Sequence, residues 1–218
     1  MNLRYHVSTV ALTVALFTRA AGAATVTSTF DADLDGWLSN PQGTALFVSP
    51  GGNPGGYLQE TDAGSQGNMH AAAPSKFLGD LTGFGNLSVD ILLYAQPTDA
   101  PTAFGQLTFT NSLGSFLILD LGNPGAAGAW THYATSLDAA TFGVSAIDYS
   151  AVMSNVTSLT LILESDKNVN NETVGMDNFA LFGESGAGGA AAVPEPATFA
   201  LLGLGLTSLA LVHRKRTR

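Results

Sequence analysis

The sequence predicts an all-β protein, a jelly-roll β-sandwich with one short helix, flanked by an N-terminal signal peptide and a C-terminal transmembrane helix. Three observations carry this expectation. Apolar and polar residues alternate with a period of two over several runs, clusters of Gly, Pro and Asn separate those runs, and an uncharged stretch followed by cations closes the chain. Period two marks a strand with one face buried, and the Gly/Pro/Asn clusters mark turns. At 218 residues there is room for one domain of about 150 residues plus tails.

Charge placement says more than the net value of −9. The basic residues are Arg4, Arg19, Lys76, Lys167, Arg214, Lys215, Arg216 and Arg218, so six of the eight lie in the termini. Between residues 24 and 192 two cations stand against sixteen carboxylates. Such a surface repels phosphate backbones, and nucleic acid is not expected as a partner. With no cysteine, disulfides, thiolate chemistry and Cys-based zinc sites are excluded.

Residues 1–23 read as a signal peptide. Arg4 precedes a mostly apolar run at 7–17, and AAGA at 20–23 offers small residues for cleavage after Ala23. The body, residues 24–183, opens on FDADLDGW at 30–37, where Phe30 and Trp37 are expected to plug the sandwich while Asp31, Asp33 and Asp35 stay wet. PGGNPGG at 50–56 and GNPGAAG at 122–128 are turns. Leu87, Val89, Ile91 and Leu93 alternate with Ser88, Asp90, Leu92 and Tyr94; Leu107 and Phe109, then Leu159, Leu161 and Leu163, repeat the pattern. SFLILDL at 115–121 is apolar on both faces and predicts a central strand. A short helix is expected at about 147–154, with Asp148 or Ser150 near its start, and VGMDNFALF at 174–182 reads as the closing strand.

Beyond the body, residues 184–192 form a Gly/Ala linker. Pro194 and Pro196 forbid regular helix and leave Glu195 in extended backbone, which a protease can grip. Residues 197–212 carry no charge, and sixteen residues at ~1.5 Å each span about 24 Å, short of a hydrocarbon core of about 30 Å. The cations that follow hold that end in the cytoplasm, so the body faces outward. VPEP (Val193, Pro194, Glu195, Pro196), an apolar stretch and an Arg/Lys-rich end resemble the PEP-CTERM sorting signal of Gram-negative bacteria over residues 193–218. The resemblance implies recognition by an exosortase-type membrane protease, a transient stop in the inner membrane and a final place at the cell surface or outside it. The alternative is a single-pass anchor that stays.

A second resemblance lies in the order of segments along 30–182: FDADLDGW, GGYLQETDAG, APSKFLGDLTGFGNLSVDI, AWTHYATSL, YSAVMSNVTSLTLILES and MDNFALF. The succession is similar to the laminin B module, also called domain IV. It implies a jelly-roll like those of carbohydrate-binding modules, without catalysis. The cysteines of the neighbouring animal modules are missing, so a matrix role of the animal kind does not follow. In many such carbohydrate-binding modules an acid after the first strand's Phe and another on the last strand bind a structural calcium ion. The matching positions are Asp31 and Asp177, and oxygen ligands suit calcium. Asp33, Asp35 and Asp62 are further carboxylates within reach of this idea.

Catalytic motifs are thin. His70 and His132 sit in no metal-spaced pattern, no GxSxG elbow occurs, and no Gly-Lys-Ser/Thr follows the glycine-rich stretches. The expectation is a non-enzymatic exported surface or extracellular-matrix protein that binds polysaccharide or another surface component. Tyr57, Trp130, Tyr133 and Tyr149 are the candidates for stacking on it. The competing class is a secreted jelly-roll hydrolase acting on polysaccharide, which would set two of Glu60, Glu164 and Glu172 about 5–10 Å apart in a cleft.

Overall fold

A computed structural model describes residues 24–64, 67–98, 103–166 and 171–183. The expected signal peptide, linker and sorting tail with its transmembrane helix lie outside the described residues, among which no helix is long and apolar enough to cross a membrane. The described residues form two sheets and one α-helix. The first sheet comprises β1 (Thr25–Ser28), β3 (Gly43–Gly52), β4 (Gly55–Asp62), β6 (Asn86–Leu93), β9 (Trp130–Ser136) and β11 (Thr173–Phe182), in the order β3-β4-β11-β6-β9 with β1 also on β11. The second comprises β2 (Leu38–Ser39), β5 (His70–Ala72), β7 (Gln106–Asn111), β8 (Phe116–Asp120) and β10 (Val156–Ile162), in the order β2-β5-β10-β7-β8. All the pairings are antiparallel. The result is the predicted jelly-roll sandwich.

Burial follows the alternation. Leu87, Val89, Ile91 and Leu93 of β6, Leu107 and Phe109 of β7, and Leu159 and Leu161 of β10 all point between the sheets and are buried. Each such side chain contributes roughly 1.5–3 kcal/mol when removed from water. Phe30 and Trp37 do plug the interior: Trp37 packs its ring against Phe30, Phe77 and Phe179, and its indole N–H donates to Ser28 Oγ at 2.8 Å. The segment between them is a loop, and Asp31 and Asp33 stay exposed.

One detail differs from expectation. SFLILDL forms β8, an edge strand: Leu117 and Leu119 are buried, but Phe116 is 61% exposed and Ile118 46%. Its apolar outer face is open to solvent. The helix, α1 (Ala146–Met153), lies where it was expected, with Asp148 in its first turn, and is capped by Ser145, whose Oγ accepts from the Asp148 N–H at 3.1 Å and donates to the Asp148 carboxylate at 2.7 Å.

β11 positions the functional site. Its first half pairs with β4 through Met176 and its second half with β1 from Phe179 onward, while a bulge interrupts its pairing with β6 after Asp177. Asn178 takes a left-handed conformation, φ 49°. The bulge keeps Met176 and Phe179 both in the core and turns Asp177 to the other side.

Candidate functional site

Because strand residues alternate, the outer face of the first sheet is fixed by the register. It carries Tyr57, Gln59 and Thr61 of β4, Gly175 and Asp177 of β11, Asp90 and Leu92 of β6 with Tyr94 just past its end, and Trp130 and His132 of β9. Leu92 pairs with Trp130 and Asp90 with His132. Trp130 starts three strands away from Tyr57, yet their ring centroids are 5.5 Å apart at an interplanar angle of 82°. The indole therefore lies along the sheet. Gly175 permits this: a Cβ there would stand 3.1 Å from Trp130 Cη2, 3.1 Å from Tyr57 Cδ2 and 3.2 Å from Leu92 Cβ. Trp130 Nε1 donates to the Gly51 carbonyl at 3.2 Å, which fixes the ring's orientation.

Polar groups surround the aromatic pair. The Tyr57 and Tyr94 hydroxyls bond to each other, and Tyr94 donates to Gln59 Oε1 at 3.0 Å. Burial, with the Tyr57 bond behind it, pushes the Tyr94 phenol up to about 12, so it stays a neutral donor and acceptor at ordinary pH. On the other flank His132 Nδ1 lies 2.6 Å from Asp90 Oδ1. Asp90 Oδ2 accepts from Asn53 Nδ2 at 3.1 Å and Asn178 Nδ2 at 2.8 Å.

Asp31 and Asp177, the two residues expected to bind calcium, are neighbours here. Asp177 Oδ2 accepts the Asn53 N–H at 2.6 Å, and Asp177 Oδ1 accepts the Asn178 N–H at 2.7 Å. Burial raises its pKa, and the neighbouring Asp90 and Asp31 carboxylates add to the rise against those hydrogen bonds. Three glycines let backbone and carboxylates close in. A Cβ on Gly52 would stand 2.0 Å from the Gly56 carbonyl oxygen and 2.8 Å from Asp177 Oδ2; one on Gly56 would stand 2.4 Å from the Phe30 carbonyl oxygen; one on Gly55, 2.5 Å from Asp31 Oδ1. Among the described residues no group of three or more Asp, Glu or His side chains is arranged for a metal ion. Two carboxylates, Asp31 and Asp177, approach one another here, and both oxygens of Asp177 are taken by backbone N–H groups.

The remaining candidates lie elsewhere. Tyr133 faces the core side of β9, against Phe104, with its hydroxyl on the Asn123 carbonyl. Tyr149 belongs to α1, packs on Phe142 and donates to the Leu137 carbonyl at 2.7 Å. Tyr57, expected at the surface, is 4% exposed because Trp130 covers it. Asp35 pairs with Lys76, and Asp62 points between the sheets. Glu60, Glu164 and Glu172 are also buried, Glu60 bonded by Ser39 and Glu172 by the N–H and hydroxyl of Ser165. The sequence reading missed Tyr94, Gln59, Gly175, Asn53 and Asn178. Tyr94 alone had a signal, its place in the alternation that runs from Leu87 to Tyr94.

Residues 192–215 match the PEP-CTERM protein-sorting motif. No curated protein matches the sequence. Among solved structures the body is similar to the L4b domain of human laminin alpha-2, with a TM-score of 0.54 at 9% identity, covering 73% of this chain and 97% of that domain. It is similar to part of an exo-beta-agarase, with a TM-score of 0.52 at 16% identity over 70% of this chain and 24% of the agarase. The CBM22-1 xylan-binding domain of Paenibacillus barcinonensis Xyn10C follows at a TM-score of 0.47 and 14% identity, covering 72% of this chain and 92% of that one. The chain thus joins a PEP-CTERM sorting motif to a jelly-roll sandwich that resembles the laminin domain IV module.

Proposed function

We propose that this protein is an exported, non-catalytic surface or extracellular-matrix component whose sandwich binds polysaccharide on the outer face of its first sheet. One observation carries the reading: Trp130 is laid against Tyr57 over a glycine floor, with hydroxyl, amide and imidazole groups on the same face. Aromatic faces with nearby hydrogen-bonding groups are what sugar rings stack on. The fold supports it, being shared with part of a protein named as an agarase. The sorting motif supports delivery beyond the inner membrane, with an exosortase-type protease removing the tail. Asp31 and Asp177 hold a structural calcium ion in this reading.

Affinity electrophoresis of the full-length chain through neutral and acidic polysaccharides tests the binding. Retardation is expected on at least one, reduced about tenfold or more by Trp130→Ala, with no reducing ends released on incubation. No retardation on any polysaccharide overturns the reading, and steady release of reducing ends replaces it with hydrolysis. For the tail, mass spectrometry of exported protein is expected to find Arg218 gone. A chelator that leaves the thermal melt unchanged argues against the calcium ion.

A further inference from the structure

We propose that His132 is the hydrogen-bonding contact for the sugar stacked on Trp130, that Asp90 is its positioning residue, and that the ligand is an uncharged polysaccharide. This rests on the polysaccharide reading given above and adds to it a residue of fixed polarity and a ligand class. His132 and Trp130 are two residues apart on β9, so their side chains leave the same face about 7 Å apart. The His132 side chain is 63% exposed, whereas the Asp90 side chain that holds it is 5% exposed. Burying a carboxylate is costly unless donors surround it, and here they do. Asn53 Nδ2 and Asn178 Nδ2 donate to Asp90 Oδ2 at 3.1 and 2.8 Å, and His132 Nδ1 lies 2.6 Å from Oδ1. The negative charge draws in two amides, which fix the carboxylate, and the fixed carboxylate aims an imidazole that stands in solvent.

The polarity of the imidazole's outer edge follows. An ionised carboxylate only accepts, so the proton between the two groups sits on Nδ1, and Nε2 keeps its lone pair as an acceptor. A sugar hydroxyl donates to such an acceptor while its ring lies on the neighbouring indole. An imidazole whose orientation is set before the ligand arrives loses little freedom on binding. Ligand charge is limited by what surrounds the pair. Among the described residues no strand of the first sheet carries a lysine or arginine, and Lys76 is engaged by Asp35 and the Thr27 carbonyl. Asp90 and Asp177 are cross-strand neighbours on this face. Sulfate and uronate groups meet repulsion there, with no cation to pair with, whereas hydroxyl groups meet an acceptor.

The two imidazole nitrogens are tested separately. His132→Asn keeps a donor at the place of Nδ1 and removes Nε2; were His132 only a partner for Asp90, this variant would bind as the native chain does. The full-length chain and its variants are run through paired native gels containing hydroxyethylcellulose or carboxymethylcellulose, and agarose or carrageenan, the second member of each pair being anionic. The native chain is expected to be retarded by a neutral member and not by its anionic counterpart. His132→Asn is expected to bind about fivefold more weakly or worse, with its cooperative melt kept as proof of folding. Asp90→Asn adds a spectroscopic readout. Its amide oxygen takes the place of Oδ2 opposite Asn53 and Asn178, its NH2 faces Nδ1, and the ring proton moves to Nε2. Of the four histidines, the one whose signal is missing in His132→Asn is His132. Nitrogen-15 spectra in detergent micelles at about pH 9, where an ordinary imidazole is neutral, are expected to show its proton on Nδ1 in the native chain and on Nε2 in Asp90→Asn, with retardation falling alongside. Unchanged retardation in His132→Asn overturns the contact, and a proton on Nε2 in the native chain overturns the positioning role of Asp90. Stronger retardation by an anionic member overturns the ligand class. No retardation of the native chain in any gel overturns the polysaccharide reading and the role of His132 with it.

Discussion

The two faces of the first sheet are built by different forces, and its strands show both at once. On β4, Leu58, Glu60 and Asp62 point inward and are buried, while Tyr57, Gln59 and Thr61 point outward. The same contrast separates the two tryptophans. Trp37 sits between the sheets with three aromatic neighbours and one hydrogen bond to a buried serine. Trp130 also has one hydrogen bond, but it meets a single ring and is half-buried. The inner face is held by the removal of apolar surface from water, which is strong and non-directional. The outer face is held by a chain of directed bonds through Gly51, Asn53, Asp90 and Asn178. A side chain can therefore be costly to remove inside and cheap to remove outside while mattering more for binding outside.

The sharpest way to break this contrast is Trp37→Ala. Loss of the ring is expected to cost about 3–5 kcal/mol, read as a fall in the urea midpoint at constant slope. The inner face also holds a pH dependence. Burial raises the Glu60 carboxyl from its ordinary 4.5 to about 7, against the Ser39 bond, and its Oε2 has no hydrogen-bond partner among the described residues. Glu172 is raised to about 7 as well, by burial and by the Glu164 charge. Between pH 4.5 and 7 the unfolded chain ionises these groups and the native state holds their protons. Their favourable contribution is complete below about pH 4.5, declines as pH rises, and is gone above about 7. The decline amounts to about 3 kcal/mol for Glu60 alone. The unfolding free energies from urea curves at pH 5 and pH 8 are expected to converge by about that amount in Glu60→Gln.

Most of the inner face was legible in the sequence. Strands such as β6 and β7 bury one side only, so hydrophobicity alternates and the period can be read directly. β8 was misread because Phe116 and Ile118 are apolar though exposed, and whether a strand has a second neighbour depends on tertiary order. The outer face was legible by residue type but not by arrangement. Tyr57 and Trp130 were both picked out, yet their contact depends on strand order and on Gly175 beneath them. Tyr133 is different: it is three residues from Trp130 on one strand, and alternation alone places the two on opposite faces. The carboxylates Asp31 and Asp177 were found through a family pattern, whereas the Asn53 and Asn178 bonds depend on a loop and a bulge that carry no periodic signal.

On the outer face, Gly175→Ala tests the floor. The added Cβ forces Trp130, Tyr57 and Leu92 to give by a few tenths of an ångström, at an expected cost of about 1–3 kcal/mol. Polysaccharide retardation should weaken in step, because the ring is displaced while its chemistry is kept. A variant with the usual melt and unchanged binding would show that the indole does not need this seat.

Trp130→Ala has the smallest effect on stability and isolates the comparison. It removes the edge contact with Tyr57, one hydrogen bond and a half-buried ring near the sheet edge, for which about 1 kcal/mol is expected. That is several times less than the loss at Trp37, although the same atoms are deleted. The difference is context: the Trp37 cavity is enclosed by Phe30, Phe77 and Phe179 and cannot collapse or fill, whereas water enters the space left by Trp130 and satisfies the Gly51 carbonyl. Equal losses in the two urea curves would mean that the outer ring is part of the core, and the division between a stabilising face and a binding face would fail. A small loss accompanied by the fall in retardation would place stability on one side of the sheet and recognition on the other.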